Sequence, residues 1–291
     1  MNLNLIVKGM RPKTLIAALV PPVSAYSFYF TEVRAHDEIW VLILCVFLAL
    51  FIQIATNFYN DAIDFIKGAD ENRSGPERIT TQDQISPKMV FAIGHVFILL
   101  AFICGIPLVL KGGVVILILG LISLFFAYGY TGGPFPLAYL GLGELFVFIF
   151  FGIVATCGSF YLYSLELNLS IFVLGTQIGL LSSVLIAINN YRDKETDVLV
   201  GKKTLATKMT NSNFLLLIDI FLFVPYLLVL YFVFTHDLKY MFNIFSVPLA
   251  HKIRAELKEV TKNEDFNLYL AMSGKHLFVF AFLFCCISLW V

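Results

Sequence analysis

One group of polar residues with the types and spacing needed for chemistry directly follows one of the most apolar segments of the chain. In a helix, Asp61 and Asp64 share one face, and Asn60 lies on that face one turn before Asp64. Gly68 allows the chain to leave the helix, so Asp70 would return to the group from a loop. Ionisable residues at the end of a membrane-embedded segment are costly, and they therefore indicate a functional site.

A second group repeats this pattern later in the chain, again at the end of an apolar segment. The spacing from Asn189 to Asp193 equals the spacing from Asn60 to Asp64. Asp193 and Asp197 are one helical turn apart and are also expected on one face. The repeated spacing predicts that the two groups act together and indicates a duplicated four-helix unit with a ninth helix added.

The chemistry that this pattern favours is the binding of magnesium and diphosphate. Magnesium takes oxygen ligands and is usually held by one or two carboxylates together with phosphate oxygens. Two acidic groups could each hold one ion and share one diphosphate, while nearby cations and hydrogen-bonding side chains bind its remaining oxygens. The residues predicted for this second role are Lys67, Arg73, Arg78, Tyr128, Asn189, Arg192, Lys202 and Lys203. Solvated loop charges are the alternative, but they would not explain the matched spacing.

Two further stretches are candidates for binding a second, aromatic substrate. The segment Tyr128–Glu144 contains no Lys or Arg, is rich in glycine and proline, and is expected to wall a cavity. Tyr130 within it could flank an aromatic substrate, although anchoring at the membrane interface is an equal alternative. Near the amino terminus, Arg11 and Lys13 could bind an anionic substrate or serve only to set the membrane topology.

The composition shows which elements must position these residues. Of the 291 residues, 59% are hydrophobic and only 14% are charged, whereas soluble domains carry about 25% charged residues. A polytopic membrane protein is therefore expected, and a span needs about 20 apolar residues. Nine candidate spans follow: Leu15–Phe30, Ile39–Tyr59, Met89–Leu110, Val114–Tyr130, Leu145–Tyr163, Ile171–Ile188, Phe214–Phe234, Tyr240–Ala250 and Leu277–Val291.

The basic residues predict the orientation of these spans. If the amino terminus is cytoplasmic, the outward loops receive only Arg34, Lys111 and Lys239, and all other Lys and Arg residues fall inside. Such an excess of inward positive charge is the usual rule for membrane proteins. Both polar groups then lie on the cytoplasmic side and the carboxyl terminus lies outside. No linker divides the chain, so residues 1–291 are expected to form a single domain.

The same residues form motifs that resemble a known family. The matching segments are Arg11–Thr14, Asn60–Asp70, Arg73–Arg78, Tyr130–Glu144 and Asn189–Leu205. They resemble the intramembrane aromatic prenyltransferases, the superfamily of the 4-hydroxybenzoate enzyme of ubiquinone synthesis. The Gly-x-Asp ending of the first motif and the GK-x-TL tail of the last favour the branch that acts on dihydroxynaphthoate in menaquinone synthesis.

The resemblance implies an all-α bundle of nine transmembrane helices around a central cavity, in a bacterial cell membrane. It implies transfer of a polyprenyl group from polyprenyl diphosphate to 1,4-dihydroxy-2-naphthoate, with loss of carbon dioxide, to give demethylmenaquinol. The alternatives are another acceptor within the superfamily, such as 4-hydroxybenzoate, or a membrane transporter. The expected partners are the two substrates and the lipid bilayer, with no nucleic acid.

The resemblance also assigns roles to individual residues. Two magnesium ions would be held by Asp61, Asp64 and Asp70, with Asn60 nearby, and by Asp193 and Asp197. The catalytic set is therefore Asp61, Asp64, Asp193 and Asp197. Arg11, Lys13 and Tyr130 would bind the acceptor.

Overall fold

The structure is a computed structural model that describes residues 3–33, 38–68, 78–80 and 85–290, and the regular elements in these ranges are all helical. The predicted site residues Asp70 and Arg73 lie outside the described residues. The α-helices are α1 (Leu3–Met10), α2 (Ile16–Val33), α3 (Ile39–Ile66), α4 (Pro87–Gly129), α5 (Leu137–Leu140), α6 (Gly143–Val147), α7 (Gly158–Ser164), α8 (Leu169–Arg192), α9 (Lys194–Leu199), α10 (Leu205–Lys208), α11 (Asn211–Thr235), α12 (Val247–Leu257) and α13 (Phe266–Leu289). A π-helical stretch, Phe148–Cys157, joins α6 to α7.

Within the described ranges, six helical stretches are long and apolar enough to cross a membrane, which establishes a multi-pass membrane protein. They are Ile39–Ile66, Pro87–Gly129, Gly143–Ser164, Leu169–Arg192, Asn211–Thr235 and Asn263–Leu289. A seventh span results if Asn4–Thr14 and Ile16–Glu32, which are bent by 53° relative to each other, cross as one unit. Length and apolarity thus identify six or seven spans among the described residues, compared with the nine that the sequence predicts.

The longest helix, α4, contains a reversal of direction. Gly113 has φ 67° and ψ −153°, which interrupts its 43 residues. The ring centroid of Tyr59 lies 5.4 Å from that of His95 and 5.7 Å from that of Tyr128. A straight helix would separate these two partners by about 50 Å. The helix therefore consists of two antiparallel halves, which coincide with the third and fourth predicted spans.

The eighth predicted span, Tyr240–Ala250, does not form one regular apolar helix. The chain instead forms a 3₁₀-helix at Leu238–Ser246, followed by α12. The second half of α12 carries Lys252, Arg254 and Glu256, so this part of the chain is too polar and too irregular to qualify as a span by length and composition.

Helix α8 lies at the centre of the bundle and carries the second polar group at its carboxyl end. Of its most apolar window, 72% is buried, the highest share among the six long helical stretches. Glycines allow it to lie against the π-helical stretch: a Cβ on Gly152 would lie 2.5 Å from the carbonyl oxygen of Gly175 and 2.6 Å from Cα of Gly179. Small residues permit such close approach in membrane helices.

Candidate active site

A central cavity of about 300 Å³ opens at the end of the bundle where both polar groups lie. The charged and amide side chains in its lining are Arg11, Gln53, Asn57, Asn60, Asp64, Arg78, Asn189, Asn190, Asp193 and Lys202. Most of the remaining wall is apolar and includes Leu48, Ile52, Phe126, Phe146, Phe150, Val154 and Leu185. The cavity therefore fits a ligand with a charged head and an apolar tail.

The first polar group occupies the last two turns of α3, where its carboxylates are buried and paired with arginine. Arg78 donates from Nη1 to Asp61 Oδ1 at 3.2 Å and from Nη2 to Asp64 Oδ2 at 2.8 Å. Arg11 also donates to Asp61 Oδ1. Gly68 follows the helix with φ 73°, as the sequence predicts for the exit of the chain. Arg11 and Arg78, which are 67 positions apart in the chain, thus converge on one carboxylate.

The backbone at Arg11 has an unusual conformation that aims its side chain at the cavity. Its φ of 52° and ψ of 65° lie in the left-handed region, which is strained for a residue other than glycine and is often found at functional sites. Asn57 Nδ2 donates to the carbonyl oxygen of Met10 at 3.0 Å, which anchors the preceding residue. Lys13, predicted with Arg11, is exposed and does not line the cavity.

The second polar group lies at the junction of α8 and α9. Arg192 is fully buried and donates two hydrogen bonds of 2.7 Å to Asp193. Its remaining donors reach Asn267 Oδ1 at 2.7 Å and Asn189 Oδ1 at 2.9 Å. Helix α8 ends before Asp193, so the predicted continuous helical face is interrupted there. The amide of Asp197 still donates to the carbonyl oxygen of Asp193 at 2.8 Å, which keeps the two carboxylates one turn apart.

Asp197 is buried and carries an unsatisfied oxygen. Burial raises its pKa to about 6, against the opposing effect of Lys202, whose Nζ lies 3.3 Å from Asp197 Oδ1. Within the described ranges, Asp197 Oδ2 has no hydrogen-bond partner. A buried carboxylate oxygen left in this state is ready to accept a cation or a donor.

Tyr139, in the short helix α5, connects the two polar groups. Its hydroxyl donates to Asp64 Oδ1 at 2.8 Å. Lys67 Nζ lies 3.8 Å from the centroid of its ring, and Lys202 Nζ lies 5.5 Å from the same centroid. The amide of Lys203 donates to the Tyr139 carbonyl oxygen at 3.0 Å. No motif in the sequence assigns a role to this tyrosine, although it belongs to the Tyr128–Glu144 segment predicted to wall the cavity.

The other predicted residues divide into those that reach the cavity and those that do not. Tyr130 is buried and lines it. Asn60, also in the lining, accepts a hydrogen bond from the Thr131 hydroxyl, and Lys67 Nζ donates to the Thr131 carbonyl oxygen at 3.1 Å. Tyr128 is 44% exposed and packs against Tyr59. The predicted residues that lie outside the lining are Lys13, Asp61, Lys67, Tyr128, Arg192, Asp197 and Lys203. The role of every predicted site residue, in the lining or outside it, stays a prediction.

The residues present fit magnesium by their chemistry. Asp64 and Asp193 both line the cavity, and their oxygens are the ligand type that magnesium prefers. The unpartnered oxygen of Asp197 adds a third candidate ligand atom. In the part of the chain that the structure describes, no group of three His, Cys, Asp or Glu side chains is already arranged around one point. Arginine and lysine partners bind these carboxylates instead.

This fold and this cavity define an integral membrane protein with a central cavity that is charged at one end and mostly apolar along its wall. The sequence model of the UbiA prenyltransferase family matches residues 19–279. The chain therefore belongs to the UbiA prenyltransferase family, which confirms the resemblance inferred from its motifs.

Individual relatives are consistent with this membership. The chain is similar to 1,4-dihydroxy-2-naphthoate octaprenyltransferase of Mycobacterium leprae, with 32% identity over 71% of this chain and 70% of the relative. It is 30% identical to the enzyme of the same name from Bacillus subtilis, over 91% of this chain and 85% of the relative. Its fold is similar to that of a UbiA homolog from Archaeoglobus fulgidus bound to DMAPP and Mg²⁺, with a TM-score of 0.66, 15% identity and coverage of 99% and 100% of the two chains.

Proposed function

We propose that this protein transfers a polyprenyl group from polyprenyl diphosphate to 1,4-dihydroxy-2-naphthoate, with loss of carbon dioxide, as a step of menaquinone biosynthesis. The observation that carries the proposal is the cavity, whose polar end holds Asp64 and Asp193 and whose wall is otherwise largely apolar. The names of the Mycobacterium and Bacillus relatives, both 1,4-dihydroxy-2-naphthoate octaprenyltransferases, support the choice of acceptor.

In this proposal the polar end of the cavity binds the diphosphate. Arg78 and Lys202 line the cavity and supply positive charge for the phosphate oxygens. Asp61, Asp64, Asp193 and Asp197 would hold two magnesium ions, with Asp70 as a further ligand. The similarly folded UbiA homolog from Archaeoglobus fulgidus is bound to Mg²⁺, which supports the choice of metal. Magnesium, when bound, neutralises negative charge on the departing diphosphate.

The acceptor would bind between the diphosphate and the Tyr130 wall. Arg11, which lines the cavity, would pair with the carboxylate of the naphthoate. The C–O bond to diphosphate breaks with its electron pair leaving on the diphosphate, the electron-rich ring forms the new C–C bond, and the carboxylate departs as carbon dioxide. The phenylalanines of the wall, in which Phe146 and Phe150 stack with centroids 4.1 Å apart, would hold the prenyl chain.

The test is product formation by purified protein in lipid nanodiscs. Polyprenyl diphosphate and Mg²⁺ are supplied with either 1,4-dihydroxy-2-naphthoate or 4-hydroxybenzoate, and products are identified by mass spectrometry. We expect a decarboxylated prenyl naphthalenediol and stoichiometric diphosphate with the first acceptor. If product forms only with 4-hydroxybenzoate, that compound takes the place of the naphthoate as the proposed acceptor. If no product forms but substrate moves across the membrane of protein-containing vesicles, the result favours a transporter.

We further propose nine spans, a single domain over residues 1–291 and a bacterial cell membrane location, with the amino terminus and the active site cytoplasmic and the carboxyl terminus outside. The reversal at Gly113 supports two crossings within α4, and residues 238–257 are long enough for the eighth.

The test of this topology uses single cysteines at Lys111 and Lys203 in a cysteine-free background. An impermeant thiol reagent applied to intact cells should label the first site only; labelling of the second site would reverse the topology.

A further inference from the structure

Glu144 is a buried carboxylate beside the cavity that the proposed function does not use. It is 3% exposed, and its Oε1 accepts a hydrogen bond of 3.0 Å from Asn190 Nδ2. Its Oε2 is buried and has no hydrogen-bond partner, and the described ranges contain no ion pair with this residue. Burying a carboxylate without a close counter-ion is costly, so its presence against Asn190 requires an explanation.

The surrounding backbone holds Glu144 in this place. Its carbonyl oxygen accepts a hydrogen bond of 3.2 Å from the Ser183 hydroxyl, which joins α6 to α8. The preceding Gly143 leaves room for two cavity-lining side chains, because a Cβ there would lie 3.0 Å from the Tyr130 hydroxyl and 3.5 Å from Asn190 Nδ2. The Asn190 amide and the Tyr130 phenol therefore both lie close to Gly143, and the amide contacts the carboxylate of the next residue, Glu144.

The hydrogen bond to Glu144 fixes the orientation of the Asn190 amide group. The Asn190 amide directs its NH₂ group towards Glu144, because Oε1 of Glu144 is the acceptor of this hydrogen bond. The opposite face of the amide then presents Oδ1, which accepts no hydrogen bond from any other residue that the structure describes. Asn190 and Tyr130 both line the cavity. The wall thus offers an acceptor on Asn190, which Glu144 holds, and the phenolic hydroxyl of Tyr130.

We infer that Glu144 is a positioning residue: it holds Asn190 so that Oδ1, together with Tyr130, forms a subsite for a phenolic hydroxyl of the aromatic acceptor. This inference rests on the proposed function, because it needs an acceptor that carries such a hydroxyl. A ring hydroxyl donating to Asn190 would be placed beside the polar end of the cavity. An acceptor whose hydroxyl is methylated has no hydrogen to donate and would leave Oδ1 unpaired.

The decisive variant is Glu144→Gln, which keeps the size of the side chain but can donate as well as accept, so the orientation of Asn190 is no longer enforced. We expect the KM for the aromatic acceptor to rise roughly tenfold, the effect of about one hydrogen bond, with the KM for polyprenyl diphosphate unchanged. Discrimination between the acceptor and its methyl ether, measured as the ratio of their inhibition or Michaelis constants, should fall in parallel. Glu166→Gln, an exposed glutamate outside the cavity lining, is the matched control and should change none of these values.

A second variant keeps the inference testable if the first is poorly folded. Asn190→Leu should raise the acceptor KM similarly, and the double variant should be no worse than Asn190→Leu alone, because both changes remove one interaction. Equal changes in both KM values, or an unchanged acceptor KM in variants with normal thermal midpoints, would overturn the inference.

The experiment also separates this inference from the proposed function. If wild type accepts only hydroxybenzoate, the naphthoate proposal fails, but that phenol tests Glu144 equally well. If neither phenol is turned over, calorimetric binding of both phenols and their methyl ethers to wild type and Glu144→Gln makes the same comparison. Equal binding by the two proteins would then overturn the role of Glu144.

Discussion

The hydroxyl of Tyr139 donates a 2.8 Å hydrogen bond to Oδ1 of Asp64. Burial first, and then the charge of Asp64, raise the pKa of Tyr139, so the phenol stays protonated and continues to donate. Burial also lowers the pKa of Lys67, whose ammonium group lies over the same ring. Tyr139 therefore orients one of the two carboxylates that line the cavity.

Replacing Tyr139 by Phe should lower kcat/KM for prenyl transfer at least roughly tenfold, because a hydrogen bond to a charged group contributes about 1.5–3 kcal/mol. The ring remains, so the contacts with Lys67 and Lys202 should persist and the thermal midpoint should change little. Steady-state kinetics in nanodiscs measures this. Tyr161→Phe, a change in α7 outside the cavity lining, is the control. Equal activity of the two variants would exclude the orienting role.

The two carboxylates that line the cavity should differ in their effect on stability. Asp64→Asn leaves Arg78 paired with Asp61, whereas Asp193→Asn removes the one carboxylate that pairs with the fully buried Arg192 in the described part of the chain. Removing one partner of a buried ion pair costs about 3–5 kcal/mol, so Asp193→Asn should show the lower thermal midpoint in detergent.

Both of these variants, as well as Asp64→Ala and Asp193→Ala, should lose turnover while the protein still inserts into the membrane. Membrane fractionation and the prenyl-transfer assay measure the two properties separately. Near-normal transfer by either alanine variant with magnesium present would contradict a site that uses both acidic groups.

Removal of divalent metal should abolish prenyl transfer, because the carboxylates that line the cavity repel a diphosphate unless a cation lies between them. Excess chelator should reduce product to background, and added Mg²⁺ should restore it. The protein should remain folded during the treatment, which its thermal midpoint checks. Product formation that persists in excess chelator would remove magnesium from the mechanism.

The contact between α8 and the π-helical stretch predicts a sharp difference between two glycines. Gly152→Ala would place a methyl group 2.5 Å from a backbone oxygen, so the helices must separate and the thermal midpoint should fall. Gly105→Ala is the matched control, because no described atom beyond its chain neighbours and its own helix backbone lies within 4 Å of the added group, and alanine is the better helix former. The prediction is wrong if both variants unfold at the same temperature.

The positions of most helices follow from the sequence, because lipid cannot hydrogen-bond a polar backbone and an apolar run of sufficient length must therefore be helical. The span predicted at Ile171–Ile188 lies within α8, and the one at Phe214–Phe234 lies within α11. Gly68, which is predicted to let the chain leave its helix, has a φ of 73°. The region around residues 238–257 was less predictable, because its hydrophobic run is short and its continuation is charged.

The sequence by itself determined the family, the membrane location and the residues of the two acidic groups, since all of these depend on local composition and spacing. Only the tertiary structure decided how the groups are joined. Tyr139 reaches Asp64 across 75 positions of chain, and Asn190 reaches Glu144 across 46. Such contacts depend on how helices pack against one another, and side-chain periodicity within one helix carries no information about its partner. For this reason the roles of Tyr139 and Glu144 became evident only once the helices had been brought together.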